Sequence, residues 1–325
     1  MTLPLTVATW DYDRVRALID GRVRVDGCEI RHVSLPPEEC FHRAWAGEFD
    51  VAEVGFCTYL TAVSRAASPL IAIPVFTSRM FRHSAIYVRD DRGIDAPAKL
   101  KGKRIGVPQY QMAAAVWVRG FLKEDFGVAP ADIAWQQGGL ESPGQRSPVN
   151  VNQPAGVSIQ TIPEGATLSA MLADGALDGI VTARAPSCFA AGHPHVRRLF
   201  PNYREVEQDY YRRTRLFPIM HVVAIRKTLV EAHTWLAASL LKAFSEAKRL
   251  AEAELREVTA LKVELPWVTS ELQATEALMG ADYWPYGVKA NRHTLSTGAR
   301  YVFEQGITAH AVAVADMFAA STLKG

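Results

Sequence analysis

Three potential cations, Arg79, Arg82 and His83, fall within five residues of the stretch "TSRMFRHSAIYVR", directly after the apolar run "LIAIPVF". Guanidinium presents a planar fork that meets a carboxylate with two parallel hydrogen bonds, which an ammonium cannot do. Histidine has a reference pKa near neutrality, so it can give or take a proton at working pH. The end of a buried strand is where open α/β sheets receive their ligands. The cluster therefore suits the capture of an anion beside a proton donor. The competing reading is ordinary: arginines that cap helices or pair with acids nearby.

Other stretches hold further candidates. Glu53 in "DVAEVGF" is an acid inside an apolar strand. Burial would raise its pKa and fit it to donate a proton or to partner an arginine. A solvated residue at the strand end is the alternative. His221 in "FPIMHVVAI" is a lone histidine in a strand expected to border a cleft, although such a residue is usually a satisfied core histidine. In "GVPQYQMAAAV" a helix is expected to start near Gln109, directly after a buried strand. Its free N–H groups could hold an anion, with Tyr110 and Gln111 facing the cleft. Arg184 in "DGIVTARAPSCF" follows another buried strand, where a surface salt bridge is the plain alternative. "YWPYGVKANRHTL" gathers Tyr283, Trp284, Tyr286 and Asn291, of which Tyr286 and Asn291 are taken as ligand contacts. The aromatics there could wall an aromatic ligand or pack a loop. Arg292 and His293 are weaker candidates.

These residues need a scaffold, and the chain alternates strand and helix from its start. "LTVAT", "CEIRHVSL", "DVAEVGF" and "LIAIPVF" read as strands, separated by helical "DYDRVRALIDGRV", "PPEECFHRAWAGEF" and "TYLTAVSRAA". A second series follows: strand "KRIGV", helix "QYQMAAAVWVRGFLKEDFG" closed by Gly127, strand "IAWQQGG", helix "ATLSAMLADGAL" and strand "DGIVTA". Such alternation implies mostly parallel sheets covered by helices. After one more strand, "IMHVVAIRK", come helical patterns over 229–257, 270–280 and 296–318. The expected organisation is a discontinuous first lobe, 1–86 with 222–325, interrupted by a second lobe, 87–221. "SAIYVR" and "HVVAIRK" would be the crossings that form a hinge, with the ligand between the lobes.

Composition narrows the function classes. The 325 residues are 49% hydrophobic and 22% charged, with a formal net charge of +2, an ordinary globular balance without the long basic runs of a nucleic-acid binder. No segment approaches a membrane span. The N-terminus carries no secretory signal pattern, and the four scattered cysteines suit reduced thiols. A cytoplasmic location is expected. There is no Cys-x-x-Cys, no His-Glu-x-x-His, no P-loop and no dinucleotide fingerprint; "HPH", with His193 and His195, is the nearest approach to a metal motif. No cofactor is expected, and a divalent metal is the less favoured option.

Together, "DYDRVRALIDGRVRVDG", "LPPEECFHRA", "FDVAEVGFCTYL", "IPVFTSRMFRHSAIYV", "LKGKRIGVPQYQMAAAVWVRGFL" and "YWPYGVKANRHTL" resemble the 4,5-dihydroxyphthalate decarboxylase family over essentially the whole chain. The resemblance implies the two-lobed α/β fold of type II periplasmic solute-binding proteins, its ligand cleft turned into an active site. It also implies a carboxy-lyase acting on a small aromatic dicarboxylate. Such a reaction needs cations for two carboxylates, a general acid aimed at a ring carbon and an apolar wall around the leaving group. On that basis His83, Glu53 and His221 are the candidates for proton transfer. Arg79, Arg82, Tyr110, Gln111, Arg184, Tyr286 and Asn291 are the candidates for substrate binding. A homo-oligomer without nucleic-acid or membrane partners is expected. The rival reading is a non-catalytic solute-binding protein of a transporter.

Overall fold

The computed structural model describes residues 2–144, 149 and 154–324. Four strands of the first series, β1 (Leu3–Thr9), β2 (Cys28–Ser34), β3 (Val51–Gly55) and β4 (Leu70–Arg79), enter one sheet. The second series supplies β5 (Ile86–Arg89), β6 (Arg104–Val107), β7 (Ala134–Gln137), β8 (Ile159–Thr161), β9 (Gly179–Val181) and β10 (Val196–Arg198) to another. The chain then returns with β11 (Ile219–Arg226), which inserts between β3 and β4, so the first sheet runs β2-β1-β3-β11-β4. The second runs β10-β5-β9-β6-β7-β8. Each sheet has a parallel part, β2-β1-β3 and β9-β6-β7-β8, and an antiparallel part where the chain enters or leaves.

Apart from Ser84, Ala85 and Lys227 at their ends, both presumed crossing strands lie inside a sheet. β5 pairs with β9 and β10, and β11 pairs with β3 and β4. The passages between the sheets come earlier, at residues 80–85 and 199–218, the second of which carries the helix Tyr203–Thr214. Its sequence, rich in arginine and glutamate, reads as a solvated face. Arg213 pairs there with Asp125 (3.0 Å) and Asp209 (2.8 Å).

The core is not divided between the sheets. Val54, Phe76 and Val222 of the first sheet join Ile86, Ile105, Trp135 and Val181 of the second in one buried cluster. The helix Val288–Glu304 binds this cluster together, packing on the helices Phe56–Ser64 and Ala113–Phe126. It begins eight residues before the periodic pattern suggested. Its Tyr301 lies over Gly120, where a Cβ would come within 2.1 Å of the ring, so only glycine permits the approach. The Trp117 indole N–H donates to the Ile219 carbonyl (3.0 Å), and Arg119 donates through Nε to Gln305 (2.7 Å). A second cluster backs the first sheet with the long helix Leu236–Arg256, separated by His233–Trp235 from the short helix Lys227–Ala232.

Candidate active site

A cavity of about 590 Å³ opens between the sheets, within the range usual for small-molecule sites. Its floor comes from β3 and β11. In their antiparallel register His221 stands opposite Gly55 and Val223 opposite Glu53. His221 and Glu53 are therefore diagonal neighbours on one face of the sheet. Gly55 lines the cavity beside His221, and a Cβ there would meet Thr58 and Phe41.

Glu53 is completely buried, and each of its oxygens is used. Oε2 accepts the Trp10 backbone N–H (3.1 Å), while Oε1 accepts the Tyr12 hydroxyl (2.8 Å) and lies 2.6 Å from His221 Nδ1. Burial pushes its pKa up, but His221 and the donated hydrogen bonds outweigh that and hold it below the ordinary carboxylate value. Glu53 is thus an ionised acceptor, contrary to the sequence expectation of a raised acid. An ionised carboxylate cannot donate, so the hydrogen sits on His221 Nδ1. The other edge of the ring, with Nε2, is left for the cavity that His221 lines. Phe41 meets this imidazole edge-on at 4.8 Å.

Arg82 reaches the same cavity and is only 6% exposed. Its Nε contacts Met220 Sδ (3.2 Å) and its Nη1 donates to the Ala183 carbonyl (3.3 Å). Among the described residues it forms no ion pair. Burial lowers its pKa to about 10, with Glu207 pulling weakly the other way, so it remains a cation at neutrality. Two helices start at the cavity wall, Phe56–Ser64 with Thr58 and Ala113–Phe126 with Ala113 and Ala114. Their first N–H groups add positive potential to the cavity that Arg82 also lines.

The mouth is more polar. The helix Pro37–Trp45 presents Glu38, Phe41, His42 and Trp45, spaced i, i+3, i+4, i+7 along one face. Arg184 sits across from it, 3.8 Å from Glu38, both side chains mostly exposed. Glu141 accepts the backbone N–H (2.7 Å) and hydroxyl (2.6 Å) of Ser187, fastening this part of the 140–157 loop to the start of the helix Ser187–Ala190. Residues 145–148 and 150–153 of that loop lie outside the described residues.

Several sequence candidates stand elsewhere. Arg79 is buried, but its guanidinium donates to the carbonyls of Phe217 (3.1 Å) and Pro285 (2.9 Å) and to Asn291 Oδ1, and it packs over Phe76. Asn291 completes this knot by donating to Pro285 and Gly287 carbonyls. Neither lines the cavity. Tyr286 is packed against Phe76, away from it. His83 is stacked on Phe121 at 4.0 Å with Phe200 and Tyr210 at its edges, and burial lowers its pKa to about 4. It is a neutral core ring. Residues 82 and 83 flank the start of a tight 3-10 turn, so neighbouring side chains diverge. The helix expected near Gln109 begins at Ala113. Tyr110 therefore packs inward under Arg119 at 3.6 Å, and Gln111 donates to the Val149 carbonyl (3.2 Å), while Gln109 and Met112 take the cavity wall.

Sequence reasoning missed the Pro37–Trp45 face, although its helical spacing was readable, and missed Tyr12 and Thr58, which carry no local signal. Among the described residues no three His, Cys, Asp or Glu side chains gather as a metal site, and His195 instead pairs with Asp90 (3.1 Å). No helix among them is long and apolar enough to cross a membrane.

Comparison with known proteins adds a second line. A family model described as "ABC transporter, phosphonate, periplasmic substrate-binding protein" matches residues 36–146. A relative named 4,5-dihydroxyphthalate decarboxylase, from Comamonas testosteroni, is 44% identical over 323 residues, spanning 99% of this chain and 98% of its own. Another of that name, from Pseudomonas putida, is 46% identical over 211 residues, 65% of this chain and 82% of its own. The periplasmic aliphatic sulphonate binding protein SsuA from Escherichia coli superposes with a TM-score of 0.54 at 13% identity, with both chains covered completely. At that identity the likeness concerns the fold, which is the two-sheet α/β architecture of periplasmic-binding-protein-like structures.

Proposed function

The chain belongs to the 4,5-dihydroxyphthalate decarboxylase family of carboxy-lyases, and on that premise we propose that it removes CO2 from 4,5-dihydroxyphthalate, giving protocatechuate, or from a closely related hydroxylated phthalate. Direct loss of CO2 would leave an aryl carbanion. The easier route protonates the ring carbon that bears the carboxylate, while the para hydroxyl gives up its proton and feeds electrons in. The C–C bond of the resulting dienone then breaks, CO2 departs with no net electron transfer, and the ring regains aromaticity and its phenol proton. This route calls on no cofactor.

The observation that carries the reading is the pairing of buried Glu53 with His221, which lines a cavity together with Arg82, a cation that forms no ion pair among the described residues. In this reading His221 delivers the proton from Nε2, and Glu53 acts through it, orienting the ring and offsetting the imidazolium charge. Arg82 and the two helix starts hold one carboxylate, and Arg184 meets the second near the mouth. Phe41, Trp45 and Met112 supply the apolar wall that dries the leaving group. The purified protein should convert 4,5-dihydroxyphthalate to protocatechuate and CO2 in stoichiometric amounts. Absence of turnover by a folded preparation, with divalent metals also supplied, overturns the proposal.

We also propose that the protein works in the cytoplasm as a homo-oligomer. Five exposed apolar residues within 258–267, including Leu265 and Trp267, support self-association. A single-protomer mass by light scattering, or recovery from the periplasm, overturns the respective statement.

A further inference from the structure

We propose that Tyr12 is a positioning residue for His221, acting through Glu53; the inference rests on the proposed role of that pair. Glu53 Oε1 is shared: the Tyr12 hydroxyl donates to it at 2.8 Å and His221 Nδ1 approaches it at 2.6 Å. With Oε2 fixed by the Trp10 N–H, the carboxylate is gripped on both oxygens and cannot rotate about its terminal torsion. Its orientation in turn fixes the imidazole plane and aims Nε2.

Tyr12 is itself held in place. It is the residue before the helix Asp13–Ile19, and Arg14 from the first turn lies over its ring at 4.1 Å. Arg14 is anchored by donation from Nε to the Thr77 carbonyl (2.7 Å) and by Trp284, over which its guanidinium stands at 4.3 Å. A cation over a phenol ring makes the hydroxyl a stronger donor. Burial and the Glu53 charge keep the phenol protonated far above neutrality, so it donates at every working pH. The other groups facing the pair are Cys40, whose thiol lies 3.6 Å from the Glu53 carbonyl, and Ser78 beside Tyr12. Neither is charged, so the phenol is the neutral donor that sets how Oε1 is divided.

The test is Tyr12→Phe, which keeps the ring and removes the shared hydrogen bond. The expected result is a fall in kcat of about 10-fold with KM within about twofold, the scale for losing an orienting partner. The 15N and 1H signals of the His221 ring should shift at the same time. Arg14→Met should move both readouts in the same direction by less, and stands in if Tyr12→Phe fails to fold. Unchanged kcat or unchanged His221 signals in a folded variant overturns the inference. Failure of the underlying reading looks different: there His221→Gln retains full decarboxylation whatever Tyr12 does.

Discussion

Two histidines border the passage between the sheets, and they live in opposite surroundings. His221 has a charged partner on one nitrogen and a cavity on the other side of its ring. His83 has aromatic rings on its face and edges and, among the described residues, an unpartnered Nδ1, and it does not line that cavity. The same contrast separates Arg82 from Arg79. Arg82 keeps part of its guanidinium for the cavity, while Arg79 spends its own on backbone carbonyls and Asn291. His83, Arg79 and Arg82 are all buried, and only His221 keeps part of its side chain exposed. What sets the functional candidates apart is a polar group held firmly on one side and left open on the other.

The sharpest way to break this comparison is to exchange the fates of its members. His221→Gln should lower kcat by about 1,000-fold, the range for losing a general acid, as measured by protocatechuate formation. If it falls less than tenfold, the open histidine is not the proton donor. Arg82→Met should come next, lowering kcat/KM by about 100-fold, because the variant keeps the packing but offers the substrate no charge. Arg79→Met should instead lower the melting temperature and spare kcat.

His83→Phe should leave kcat within about twofold and reveal its effect in acid. Burial holds the folded His83 pKa at about 4, below its ordinary 6.5, with Asp125 opposing and Arg213 reinforcing the shift. As pH falls from 6.5 to 4 the unfolded chain takes up a proton that the fold refuses, so stability is lost across that window and is fully present above it. The cost is at most about 3 kcal/mol, and the phenylalanine variant should escape it in denaturant titrations between pH 7 and 4. An identical acid profile would show that His83 is not the titrating group; His32, lowered in the same direction, is the control. The smallest effect is expected for Arg184→Ala. Its side chain is mostly exposed, so water screens its hold on the second carboxylate and KM should rise only a few-fold.

The two lobes' alternation of strand and helix, and the glycine stop at Gly127, could be read from the chain. Glu53 and His221 could each be singled out as polar residues in apolar strands. Their partnership could not, because 168 residues separate them and only the β3–β11 register joins them. Arg79 and His83 were misread for a related reason. A cluster of cations at a strand end says which elements meet there, but the direction of each side chain depends on strand parity and on the turn at 83–85. Tyr110 and Gln111 went astray through a four-residue error in a helix start, enough to rotate them from the wall into the core.

The contact of Tyr301 on Gly120, with the undivided core around it, has a mechanical consequence. A receptor that works like a clamshell must flex widely to trade its cargo. Here any wide gape would have to pull an aromatic ring off a bare backbone and strip a shared interior of its partners. The molecule is better suited to stiffness: traffic would pass the Glu38–Arg184 gateway by swinging two exposed side chains, a motion with a low barrier.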